Sequence, residues 1–103
     1  YINLILKHVR DTREEKFLDR LLVSSVVEAR GCERMAIVAE ALEDKELKEF
    51  YTELVKCEAR HHSQFIIFAK MFFDEELVKK RLDDFLTYEA QAIAKVPVRS
   101  ALY

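Results

Sequence analysis

The chain has 103 residues, half of them hydrophobic and about a third charged, with one glycine and one proline. That composition suits a single compact helical domain and excludes disorder or a glycine-rich β architecture. The net charge of −2 at pH 7 gives no global basic field of the kind that marks many nucleic-acid binders, although it leaves room for a local basic face.

The first ten residues, YINLILKHVR, space their apolar members Ile2, Ile5, Leu6 and Val9 by three or four, which fits a short helix or a packed arm. His8 in this arm reads as structural or exposed. A helix start follows, with Thr12 as N-cap and Glu15 completing a capping box. Helical periodicity then runs to about Leu42 through Leu18, Leu21, Leu22, Ser25, Glu28, Cys32, Met35, Ala36 and Ala39. Gly31 in mid-helix is unfavourable by about 1 kcal/mol against alanine, and close helix packing is the expected reason for it. EDKE at 43–46 forms the turn, and Asp44 caps the next helix. That helix carries Leu47, Phe50, Tyr51, Leu54, Glu58, His61, Phe65 and Phe68 on one face. A third, shorter helix begins at Asp74-Glu75-Glu76 and ends before Pro97, with Leu77, Leu82, Phe85, Leu86 and Ile93 as its apolar side. Tyr51 and Tyr88 read as core or interface aromatics.

Cys32 and Cys57 have no CxxC spacing and read as reduced, buried small side chains of a cytoplasmic protein. No apolar run approaches the roughly 18 residues of a membrane span, and no signal peptide is present, so no membrane partner is expected. The chain begins at Tyr1 without an initiator methionine, as a processed or trimmed chain or a piece of something longer would. It carries no phosphate loop. The serines at 24, 25 and 63 form no plausible triad, and Cys57 beside His61 makes a poor nucleophile pair.

The stretch CEARHH at 57–62 sets Glu58 and His61 three residues apart on one helical face, where both can hold a single ion. Carboxylates with one imidazole suit iron or manganese, and Glu-x-x-His is the ligand unit of di-iron carboxylate bundles. With 13 glutamates and three histidines, roughly 0.4 such pairs arise by chance, so position must decide. Both residues fall on the apolar stripe, where an uncompensated buried carboxylate is expensive. Glu28 lies on the stripe of the preceding helix, and it and the Glu58/His61 pair are equidistant from the turn, which places them side by side in an antiparallel hairpin. Glu28 is therefore the preferred third ligand. Glu33, which points away from the stripe, is the alternate. His62 and Arg60 are candidates for supporting contacts behind the ligands. The competing reading is a metal-free polar network with Arg30, Arg34 or Arg60.

The segments LLVSSVVEARGCERMAIVAEAL and EFYTELVKCEARHHSQFIIFA, with EAR-x-CER at 28–34, FY at 50–51 and EARHH at 58–62, closely resemble the second half of the tRNA 2-methylthio-N6-isopentenyladenosine hydroxylase family (MiaE type). The resemblance covers about residues 1–95. It implies an all-α, ferritin-like bundle, of which residues 1–103 are the C-terminal half. It further implies a site with two iron ions and O2-dependent hydroxylation of the isopentenyl group on a modified adenosine in tRNA. By position, Glu28 (or Glu33), Glu58 and His61 are the ligands this half supplies. A complete site needs a carboxylate plus a Glu-x-x-His from each of two helix pairs, and the chain contains only one such set, with no second Glu-x-x-His. A missing N-terminal half, or a second copy of the chain in two-fold symmetry, is expected to provide the other set. The alternatives are a metal-free helical association module and a ferritin-like oxidase or iron-binding protein with another substrate.

Overall fold

A computed structural model of the chain describes residues 1–95. Four helices follow one another: α1 (Ile2–Leu6), α2 (Arg13–Ala41), α3 (Lys45–Phe72) and α4 (Glu75–Lys95). The expected long hairpin is α2 and α3, of 29 and 28 residues, and α4 is the shorter helix. Among the described residues there is no strand. The expected stop before Pro97 lies outside the described residues.

Local chemistry accounts for the helix boundaries. The Asp44 carboxylate accepts the backbone N–H of Leu47 at 3.0 Å, as an N-cap should. Asp74 does the same more weakly for Leu77 of α4, at 3.4 Å. The expected capping box at Thr12 does not form. Thr12 is the N-cap, but its hydroxyl donates to the Glu15 carboxylate and neither side chain bonds a helix-end N–H. A short Thr-to-Glu contact satisfies the two side chains against each other and leaves that helix end to solvent.

The core gathers where all four helices meet. Ile5 from α1, Leu18, Leu22, Val23 and Val26 from α2, Ala69 from α3, and Val78, Phe85 and Ala92 from α4 are buried together. A polar node ties the N-terminal arm to this core. Asp19, fully buried, accepts from Arg10 (backbone N 2.9 Å, Nε 3.0 Å, Nη2 3.0 Å) and from Arg81 (Nε 2.8 Å, Nη2 3.0 Å). Arg81 also donates to the His8 carbonyl at 3.0 Å and lies over the Phe85 ring. His8 stacks on Tyr88 with ring centroids 3.7 Å apart, so the arm is structural and Tyr88 is a packed aromatic. Toward the α2–α3 turn the hairpin stands without this cover, and Ile37, Leu47 and Phe50 are exposed there.

Two expectations about small residues are corrected. Gly31 has open space where a Cβ would stand, so close helix packing within this chain does not explain it. Cys32 and Cys57 are free but only half-buried, and neither belongs to the buried core. Among the described residues no helix is long and apolar enough to cross a membrane.

Candidate metal centre

Halfway along the hairpin, α2 and α3 bring three donors together. One ligand atom each from Glu28, Glu58 and His61 lies within 4.8 Å of the others. Glu58 and His61 meet because residues three apart share a helical face, and their Oε2 and Nδ1 atoms are 3.8 Å apart. Glu28 joins them because the turn at 42–44 sets it at the same height on the antiparallel neighbour.

The electrostatics are those of crowded carboxylates. A hydrogen bond shared with Glu58 pushes the Glu28 carboxyl above its ordinary value. Burial and the Glu58 charge act in the same direction, while His61 opposes them. The arginines do not relieve this crowding. Arg30 is occupied by Glu33 at 2.8 Å and Glu89 at 3.4 Å. The polar network with Arg30 considered from the sequence is therefore not the one that forms. Two crowded carboxylates beside a half-exposed imidazole fit a divalent cation, which would neutralise the charge they bring together.

The remaining candidates sit elsewhere. Glu33 is exposed and paired with Arg30, outside the three-residue cluster. Arg60 is exposed on α3. His62 faces Ser25, with its Nδ1 2.9 Å from the Ser25 Oγ and 3.1 Å from the Ser25 carbonyl. Cys57 lies 3.9 Å from the His61 Nε2. Cys32 donates to the Val55 carbonyl at 3.3 Å, and burial, with the charges of Glu58, Glu33 and Glu28, pushes its thiol up. Beside the donors a cleft of about 380 Å³ is lined by Leu21, Glu28, His61, Gln64, Phe65 and Phe68.

Sequence reasoning missed the buried Glu89, which accepts from Tyr1 and Arg30, and the Asp19 node. The available signal was weak: Asp19 occupies a stripe position between Leu18 and Leu22. Its partners, nine and 62 residues away, carry no local mark.

The chain is similar to known proteins in sequence and in fold. The chain is 35% identical over 77 residues to the tRNA 2-(methylsulfanyl)-N(6)-isopentenyladenosine(37) hydroxylase of Salmonella typhimurium, covering 75% of this chain and 28% of that protein. It is 39% identical over 75 residues to the protein of the same description from Pseudomonas putida, covering 73% of this chain and 36% of that one. The chain thus spans about a third of the curated relatives it matches. Among solved structures it is similar to a protein with aldehyde deformylating oxygenase activity from Synechococcus, at 30% identity and a TM-score of 0.84. That match covers 96% of this chain and 49% of the other, and it bears out the all-α, ferritin-like fold expected from the sequence. The family profile described as tRNA-(MS[2]IO[6]A)-hydroxylase (MiaE) matches residues 1–100, and the chain belongs to that family.

Proposed function

We propose that this chain supplies one half of a non-haem di-iron centre in a tRNA-modifying monooxygenase, with Glu28, Glu58 and His61 as its iron ligands. The observation that carries the reading is the convergence of these three donors within 4.8 Å, beside an apolar cleft, in a member of this family. The substrate is the isopentenyl group of a modified adenosine in tRNA, as in the names of both curated relatives.

Each residue then has a defined task. Glu28 and Glu58 would present carboxylate oxygens to the metal, whose charge relieves the crowding that raises the Glu28 carboxyl. His61 offers a ring nitrogen from the same helical face as Glu58. Leu21, Phe65 and Phe68 wall the cleft next to Glu28 and His61, where they hold a short branched alkyl chain and keep water off the carbon to be oxidised. Iron bound by these groups supplies the O2-activating redox chemistry. Hydroxylation consumes O2, two electrons and two protons per C–H bond and releases one water, so the reaction requires an external reductant.

A second carboxylate and a second Glu-x-x-His must come from outside this chain's own set. A further segment of the same polypeptide or a second copy can deliver them, and the greater length of the relatives favours the segment. Two measurements test the reading. The first is Fe(II) uptake under anaerobic conditions by the protein with its complementary half, with Glu58→Ala and His61→Ala controls; uptake in wild type and its loss in both variants is expected. The second is oxygen incorporation into prenylated tRNA with a supplied reductant. Absence of iron in the loaded wild type would leave a metal-free association module. Iron uptake without tRNA hydroxylation would point to an oxidase or iron-binding protein with another substrate.

A further inference from the structure

Two polar contacts cross from α2 to α3, and they bracket Glu28. Ser25, fully buried, stands three residues before Glu28 and meets His62. Cys32 stands four residues after it and meets the Val55 carbonyl at 3.3 Å. The step from Ser25 to Cys32 along α2 is matched by an equal step back from His62 to Val55 along α3. Seven residues are two helical turns, so both contacts lie on the seam that also carries Glu28.

The Ser25–His62 contact is reciprocal, which gives it directional content. In the tautomer with its proton on Nδ1, His62 donates toward the Ser25 carbonyl at 3.1 Å, with the Ser25 Oγ 2.9 Å from the same nitrogen. The Ser25 hydroxyl, 3.3 Å from the His62 carbonyl, donates back. Apolar ridges along a long antiparallel pair tolerate sliding, because leucine, valine and phenylalanine at similar heights are interchangeable as contacts. A slip of one turn, about 5.4 Å, keeps much of that packing but carries Glu28 away from Glu58 and His61. It also breaks both polar contacts and takes from the buried Ser25 hydroxyl its partner across the seam.

The geometry points to His62, paired with Ser25, as a positioning residue that locks the α2–α3 register in which Glu28 meets Glu58 and His61; the Cys32–Val55 contact is the second pin. This assignment rests on the metal-site reading above, and its test separates the two.

The full chain, with its complementary half present, is titrated with Co(II) under anaerobic conditions, following affinity and the d–d absorption bands, in wild type and in His62→Ala, His62→Gln and His62→Asn. Asparagine places an amide nitrogen near the Nδ1 position and keeps the donor, whereas glutamine reaches to the Nε2 position and loses it. Affinity should fall tenfold or more, with altered bands, in the alanine and glutamine variants. Asparagine should restore both. Ser25→Ala, which keeps the Nδ1–carbonyl bond, should fall between, and it replaces the alanine variant if that one does not unfold cooperatively. A purely structural role would lower the melting temperature of His62→Ala and leave its Co(II) affinity and bands at wild-type values, which would overturn the assignment. A metal-free arm uses E28C with E58C in a background of Cys32→Ser, which keeps a hydroxyl donor, and Cys57→Ala. Cross-linking by a short bifunctional thiol reagent should drop on adding His62→Ala and recover with His62→Asn. If wild type binds no Co(II), the metal reading fails, and an unchanged cross-linking yield in His62→Ala would sink the register assignment as well.

Discussion

Glu28 and Asp19 show how differently two inward-facing carboxylates are handled on one helix. Glu28 has another carboxylate for a neighbour, and sharing a hydrogen bond with Glu58 raises its pKa. At Asp19, burial alone would push the carboxyl up, but hydrogen bonds from Arg81 and Arg10 outweigh it and hold the group below the usual carboxylate range. A depressed folded-state pKa means that Asp19 stabilises the fold fully above the unfolded value near 3.8 and loses that contribution as pH falls through its lower folded value. His8 behaves alike in a higher window. Burial, then the charges of Lys7, Arg81 and Lys95, lower its pKa, so the neutral ring is favoured in the fold and its contribution is lost as pH falls below about 6.5. Asp19→Ala removes one side of a buried charge cluster and should cost about 3–5 kcal/mol in urea unfolding. Asp19→Asn should remove the steepest acid-dependent part of the stability profile below pH 4, and an unchanged acid limb would assign it to other carboxylates. The convergence of Glu28, Glu58 and His61 was legible because helical spacing and distance from the turn are local rules. The Asp19 node was not, because its arginines reach it from α4 and the N-terminal arm.

At the scale of elements, α2 and α3 are long, with only a few buried side chains along the outer part of the hairpin. Asp44 was readable as a cap because capping is decided within four residues. Gly31 was misread because its surroundings are a tertiary matter. Its φ is not positive and a Cβ there meets nothing within 4 Å, so neither backbone conformation nor this chain's packing requires glycine. Gly31→Ala should therefore stabilise the isolated chain by about 1 kcal/mol, measured as a higher midpoint of thermal or urea unfolding. The same substitution measured with the complementary half present reports whether a further helix approaches there: a loss of stability or of association in that setting marks Gly31 as a contact.

At the scale of the whole molecule, several large apolar side chains among the described residues stand exposed. Ile67 is 60% exposed, Met71 71% and Phe72 59%, and Phe17, Phe68, Phe72 and Phe73 form an aromatic cluster at the far end of the hairpin. Exposed apolar residues of this kind make a candidate association face. Ile67 and Met71 share one face of α3, so the double variant I67K/M71K tests it without touching the core. Sedimentation should show reduced association, with helix content by circular dichroism unchanged. Association equal to wild type would remove this face from the interface.

The amino-acid order by itself determined the helices, their caps at Asp44 and Asp74, the hairpin turn and the pairing of Glu58 with His61. All of these depend on neighbours within one or two helical turns. Counting from the turn even selected Glu28, because an antiparallel pair converts sequence distance into height. The tertiary structure decided the rest: that Arg30 serves Glu33 and Glu89 and leaves Glu28 and Glu58 to each other, and that Asp19 anchors the arm. It also turned His62 toward Ser25. Those outcomes depend on which side chains reach a shared volume from distant positions, and helical periodicity carries no information about that.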